Sequence, residues 1–377
     1  MPMEKGPTSL EAGGGVGEFL STIDSSKKVL ILPHDNPDPD SLASAAALRF
    51  LIRHKLNKIA VIGLSGIIGR SENRSLVTVL EIPLVPVSEL LPNFSGSVIL
   101  VDSQPQRGNN ALPAEITPTA VIDHHPDWGK NSDIPFVDIR ESYGATSTIV
   151  TEYLQHAEVP LDPRIATALF YGISSETQHL GRETMPHDIV ASQFLYPYVN
   201  KRLLGDIQTP QLSPTYFRVI ASALNSALLY GDTVVTILDS VPYPDAVAEV
   251  ADYLMRLETA QWSVCMAPHE DFVYVSMRTR DAEAQAGRLL DSLLPSGSAG
   301  GHGMIAGGRV KASRRQRDEI IQKISSDILQ ALGKTGTRPQ PLVAEKPRPA
   351  EKPRKTAPSK ATAARSNSNK KPTANGK

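Results

Sequence analysis

KVLILPHDNPDPDSLASAAALRFLIRHKL, residues 28–56, opens as a short apolar run, breaks into a loop of acids and prolines, and closes in an Ala-rich helical pattern. KVLILP (28–33) is strand-length and nearly continuous in apolarity, as a strand buried on both faces should be. SLASAAALRFLIRHKL (41–56) has helical spacing, and its small residues, Ala43 to Ala47, allow close packing on a sheet. KIAVIG (58–63), SVILVD (97–102) and TAVIDHH (119–125) repeat the strand signal, and SENRSLVTVLEI (71–82) the helical one. The pattern predicts βαβ units with right-handed crossovers. Helices are expected at 145–157, 163–174 and 187–199. From about residue 231 the rhythm changes. Helical stretches 212–230 and 244–259 flank a strand at 231–239, WSVCMAP (262–268) and DFVYVSMRT (271–279) form a hairpin-like pair, and helices at 282–294 and 314–332 flank a Gly-rich loop.

The expected class is therefore α/β with two domains. The first has a mostly parallel sheet flanked by helices, and the second is a smaller α/β unit. The boundaries are a flexible N-terminus (1–25), a first domain (26–205), a connecting helical linker (206–230), a second domain (231–333) and a disordered tail (334–377). Composition agrees with a globular body: of 377 residues, 40% are hydrophobic and 21% charged. The single cysteine, Cys265, excludes an intramolecular disulfide and a multi-cysteine metal site, and is expected to be a small buried apolar residue. No apolar run approaches the ~18 residues of a membrane span, and the first residues lack a basic-then-apolar leader. A cytoplasmic protein without membrane contact is expected.

Charge is uneven along the chain. From Lys334 onward there are 12 Lys and Arg against two Glu, so the rest of the chain carries a net charge of −11. The tail has seven prolines and, beyond Leu342 and Val343, almost no large apolar residue. Its composition suits a solubilising extension or an arm that contacts RNA. The acidic body argues against a broad duplex-binding face and suits a protein that holds multivalent cations.

The acids and histidines gather just past the strand ends. KVLILP runs into His34, Asp35, Asn36, Pro37, Asp38, Pro39, Asp40 and Ser41; SVILV ends at Asp102; TAVI ends at Asp123, His124 and His125. In an open parallel sheet the ligand crevice lies beyond the carboxyl ends of the strands. Such a cluster repels itself unless a cation neutralises it, and oxygen ligands mixed with imidazole suit Mn²⁺, Mg²⁺ or Fe²⁺. Pro37 and Pro39 hold the first loop extended, which points Asp38 and Asp40 to one side, and Ser41 is placed to cap a helix beginning at Leu42.

HDNPDPDS, a strand-end VD, VIDHH and a later GGH, in this order between about residues 28 and 330, resemble the DHH phosphoesterase family. The resemblance implies an N-terminal catalytic, metal-binding domain and a C-terminal associated domain that binds substrate. It implies two Mn²⁺ ions: one held by His34, Asp38, Asp102 and Glu176, the other by Asp40, Asp102, His124 and Glu176, with Asp102 bridging. Glu176, in Ser174-Ser175-Glu176-Thr177, stands where the family has aspartate. Asp123 would orient a ligand imidazole and His125 would face the substrate phosphate. In GSAGGHGMIAGG (297–308), glycines free several N–H groups for a phosphate, so Gly300, Gly301 and His302 are expected to grip substrate, with Arg278 of VYVSMRTR as a bidentate clamp. The size of the chain favours members that hydrolyse short oligoribonucleotides to mononucleotides or 3′-phosphoadenosine 5′-phosphate to AMP. Single-strand-specific exonucleases and (cyclic) dinucleotide phosphodiesterases of the same family are alternatives, and a non-catalytic nucleotide- or RNA-binding protein is the rival from another class. Expected partners are short single-stranded RNA or small nucleotides, with a homodimer left open.

Other motifs carry less. Arg70 and Arg74 in GLSGIIGRSENRS (63–75) fit a solvated basic turn, with substrate phosphate as the alternative. Tyr143, Thr146 and Ser147 fit helix capping, with closeness to the metals as the alternative.

Overall fold

The computed structural model describes residues 15–343 apart from Lys27, Arg182, Glu183, Ser296 and Gly297. The first half contains α1 (Val16–Asp24), β1 (Val29–Leu32), α2 (Pro39–Leu56), β2 (Ala60–Leu64), α3 (Ser71–Val79), β3 (Leu84–Pro86), α4 (Val87–Leu90), β4 (Ser97–Val101), β5 (Ala120–Asp123) and β6 (Phe136–Ile139). Four helices follow: α5 (Thr146–His156), α6 (Pro163–Glu176), α7 (Pro186–Leu195) and α8 (Lys201–Gln208). The remainder holds α9 (Pro214–Ser226), β7 (Leu228–Tyr230), β8 (Thr233–Ile237), α10 (Ala246–Leu254), β9 (Trp262–His269) and β10 (Phe272–Thr279). After these come α11 (Ala286–Leu293), β11 (Ala299–His302), β12 (Ile305–Lys311), α12 (Arg317–Ala331) and β13 (Gln340–Pro341).

The first sheet has the order β3-β2-β1-β4-β5-β6, parallel throughout. Its strands carry apolar side chains to both faces. Ile31, Ile99, Val101 and Ile122 enter the large core with α1, α2, α5 and α6, while Leu32, Leu100 and Val121 face a smaller cluster with Val87. The strand order reverses between β1 and β4, the place where open α/β sheets bind ligands. The second sheet has the order β11-β12-β10-β9-β8-β7-β13 and is antiparallel except between β8 and β9. Along β9, Val264 and Met266 face α11 and α12, whereas Cys265 and Ala267 face α9 and α10. Cys265 is fully buried, and burial pushes its thiol pKa up.

Several boundaries differ from expectation. Residues 16–24, expected to be flexible, form α1, because Phe19 and Ile23 are fully buried and Phe19 packs against the Phe136 and Tyr153 rings. Each such burial contributes roughly 1.5–3 kcal/mol. The linker expected at 206–230 is largely part of the second layer: Ala223 of α9 and Ala227 just after it pack into that core, and β7 is one of its strands. The stretch expected to be disordered from Lys334 has defined contacts as far as Leu342. Lys334 pairs with Asp232 at 2.7 Å, β13 extends the open edge of β7, and Leu342 packs against the core. Residues 344–377 lie outside the described residues. The Gly-rich loop is instead the β11–β12 hairpin, since its glycines pair Gly300 with Gly307 and Gly301 with Ala306.

Candidate metal centre

β1 ends at Leu32, and α2 starts at Pro39 rather than Leu42. Proline presets the first helical residue, and Asp38, an effective N-cap, accepts the Ser41 N–H at 2.9 Å. Asp40 therefore sits in the first turn of the helix and does not project beside Asp38. Fully buried, it accepts the Thr146 and Ser147 N–H groups, each at 2.7 Å, and so caps α5. Asp102 follows β4 with a left-handed backbone (φ 56°), a conformation that aspartate tolerates better than most residues. Its N–H donates to Ile122 O at 2.9 Å, which aligns the ends of β4 and β5 and sets Asp102 near Asp123.

Two triads have donor atoms within 4.8 Å of one another: His34, Asp38 and Asp102, and Asp102, His124 and His125. His34 Nε2 lies 3.6 Å from Asp38 Oδ1 and 3.7 Å from Asp102 Oδ2. His124 Nε2 lies 3.6 Å from Asp102 Oδ1. A carbonyl only accepts, so the approach of His34 Nδ1 to Asp35 O (2.9 Å) and of His124 Nδ1 to Tyr143 O (3.2 Å) puts a proton on each Nδ1. Both rings thus direct Nε2 towards Asp102, and in the neutral form each would offer a lone pair there. His124 Nε2 is buried with no hydrogen-bond partner among the described residues. An orphaned nitrogen aimed at carboxylates fits a divalent cation, and the oxygen-plus-imidazole donor set agrees.

His125 is different. Its Nδ1 donates to Asp123 Oδ1 at 2.9 Å, so that proximity to Asp102 supplies no lone pair and leaves Nε2 for another group. Asp123 was expected to orient a ligand imidazole; it holds His125 instead, and accepts the His124 N–H at 2.9 Å. Glu176, in the last turn of α6, lies beside the cluster but in neither triad, as does Asp40. It is brought there by Gly172 one turn earlier, where a Cβ would meet Ser147 Oγ at 2.4 Å and Ala43 Cβ at 3.1 Å. Tight helix contact explains that glycine.

The electrostatics are those of crowded acids. Burial and the Asp38, Asp40 and Asp102 carboxylates push Glu176 well above the usual range, and burial with Asp102 and Asp38 does the same to Asp40. Burial opposes the charge on His34, but Asp38 and Asp102 outweigh it and raise its pKa to about 10. His125, likewise against burial, is raised to about 9 chiefly through Asp123. A bound cation would relieve this repulsion.

A cavity of about 820 Å³ connects the cluster to the second sheet, lined by Asp38, Glu176, Arg70, Asp252, Arg278 and Ile305 among others. Arg278 is buried there, but its guanidinium is already engaged. Nε pairs with Asp252, and Nη1 donates to Ser276 Oγ (2.8 Å) and Met277 O (2.9 Å). The free bidentate fork expected for phosphate is thus not presented. Arg70, expected as a solvated turn residue, crosses to the same Asp252 at 2.8 Å. Gly301 has φ 143°, and a Cβ there would meet Ile305 O at 2.2 Å, while a Cβ on Gly287 would meet Gly301 O at 2.2 Å. Close packing of α11 on the hairpin accounts for these glycines. At Gly300 a Cβ would meet nothing within 4 Å. His302 lies on β11, and its side chain is outside the described residues.

One contributor escaped the sequence reading. Gln104, fully buried, donates to Asp123 Oδ2 at 2.7 Å and to the Pro126 carbonyl at 3.1 Å; a neutral amide in a loop carries no signature. Thr146, expected to cap a helix, instead has its N–H capped by Asp40, and its hydroxyl donates to Asp102 Oδ1 at 2.8 Å.

Residues 28–173 match the model of the DHH family, N-terminal domain, so this stretch of the chain carries that domain. It is 31% identical over 329 residues to an uncharacterized protein of Methanocaldococcus jannaschii, covering 83% of this chain and 66% of that one. It is 27% identical over 151 residues to a probable manganese-dependent inorganic pyrophosphatase of Listeria welshimeri, covering 40% and 48%. The chain thus spans just under two thirds of the first relative and about half of the second. In fold it is similar to an exopolyphosphatase-related protein from Bacteroides fragilis, with a TM-score of 0.66 at 13% identity over 84% of this chain and 96% of that one. No helix among the described residues is long and apolar enough to cross a membrane.

Proposed function

We propose that the chain is a phosphohydrolase whose rim of acids and imidazoles holds two divalent cations, Mn²⁺ first with Mg²⁺ or Fe²⁺ as alternatives. Its substrates are short single-stranded oligoribonucleotides or 3′-phosphoadenosine 5′-phosphate. The observation that carries the reading is the pair of triads meeting at Asp102, with two Nε2 atoms converging on one carboxylate. His34, Asp38, Asp102 and Glu176 would hold one cation, and Asp40, Asp102, His124 and Glu176 the other. Bound there, such a pair acidifies a water and stabilises the charge of phosphoryl transfer. Asp102 is oriented by Thr146, and Asp123 fixes the proton on His125 Nδ1, which leaves Nε2 to meet a phosphate oxygen. Arg278 and the β11–β12 hairpin, with Gly300, Gly301 and His302, border the substrate from the second sheet. Arg278 must exchange Asp252 for a phosphate to do so. The basic tail would serve as an accessory arm for RNA.

The similarity to probable pyrophosphatases supports a second reading, cleavage of a phosphoanhydride, although that match covers only 40% of the chain. One panel separates them: full-length protein with Mn²⁺ and labelled five-nucleotide RNA, 3′-phosphoadenosine 5′-phosphate, or inorganic pyrophosphate. Release of mononucleotides or AMP, abolished by Asp123→Ala or His124→Ala in folded protein, is the expected result. Turnover of pyrophosphate alone favours the second reading, and no turnover in any divalent cation overturns both.

A further inference from the structure

Beyond His125 the chain enters a turn that holds an aromatic side chain out of the protein. Trp128 is 60% exposed, although a tryptophan buries 150–250 Å² where packing permits. The turn is firmly tied. Trp128 N–H donates to Gln104 Oε1 at 3.0 Å, and Asp127 Oδ1 accepts the Gly129 N–H at 2.8 Å and Asn131 Nδ2 at 2.7 Å. Trp128 is three residues from His125, so their Cα atoms lie within about 11 Å of each other. Over its ring sits the Arg107 guanidinium, 5.6 Å from the centroid. Among the described residues Arg107 has no ion pair, and its Nη1 is buried without a hydrogen-bond partner. Its charge also reaches the catalytic side, where it opposes protonation of His125.

We infer that Trp128 and Arg107 form a nucleotide subsite next to His125, with a nucleobase stacked on the indole and a phosphate of the same strand held by the guanidinium. This inference rests on the proposed phosphohydrolase reading and extends it to the substrate's bases. An aromatic face stacks every base and an arginine follows the backbone, so the site favours single strands without strong sequence preference. A base held in a duplex could not reach the indole.

The test uses the full chain with Ca²⁺ in place of the catalytic cation and two probes of equal length: a 5′-phosphorylated RNA trinucleotide and its abasic counterpart. Trp128→Ala should weaken the trinucleotide roughly tenfold or more and leave the abasic probe unaffected. Trp128→Phe should retain most of the affinity, and Arg107→Gln should weaken both probes. Equal binding of the two probes by the wild type, no binding of either, or no effect of Trp128→Ala would overturn the inference. Turnover of five-nucleotide RNA in Mn²⁺, measured separately, tells whether the proposed function has failed with it.

Discussion

At Asp102 a left-handed backbone, a buried carboxylate and two facing imidazoles coincide. Its carboxyl pKa is raised by burial and by Asp38, despite the nearby histidines. Asn at this position keeps the shape, accepts the Thr146 hydroxyl and tolerates φ > 0, but removes one charge from the repulsion. Asp102→Asn should therefore melt no lower than the wild type in chelator, and in Mn²⁺ should lose the stabilisation by cation that the wild type gains. Paired thermal melts measure both. Gln104 acts one step further out, through Asp123. Gln104→Ala should preserve the fold and lower turnover about 10–100-fold, read as kcat on the preferred substrate. The acids and histidines of this rim were legible because they follow apolar runs at strand ends. Asp40's turn onto α5 was not, because it depends on α2 starting three residues earlier than Ser41 suggested.

Among elements, α6 shows how packing sets chemistry. Gly172 lets it press on Ala43 and Ser147, and Glu176 follows on the same face one turn later. Gly172→Ala should cost about 1–3 kcal/mol in chemical denaturation and weaken cation binding, since the helix must move away from α2. Overpacking outweighs the helix propensity gained, about 1 kcal/mol. The long strands and helices could be read from periodicity. β3 could not: it has three residues and ends in Pro86. β6 carries Asp138 and an exposed Val137, so its apolar signal is broken. The β11–β12 hairpin reads as a loop because glycine has no side chain to reveal strand alternation, and α1 hides behind a Gly-rich opening.

At the scale of the whole molecule, charge and pH act together. His34 and His125, raised to about 10 and about 9, titrate near 6.5 when unfolded. A raised folded pKa contributes stability that is complete below 6.5 and lost as pH climbs through the folded values. Metal-stripped protein should accordingly lose melting temperature between pH 6.5 and 10, and saturating Mg²⁺ should flatten that slope. A slope unchanged by cation would count against the site. The two sheets were foreseeable as separate layers, whereas the Arg70–Asp252–Arg278 link between them was not, because no sequence pattern pairs residues about 180 apart. The most direct measurement is the Mn content of full-length protein after equilibrium dialysis, compared with Asp102→Asn. Two ions per chain in the wild type and a loss of both in the variant are predicted; a wild type that retains none, or a variant that matches it, would contradict the shared centre.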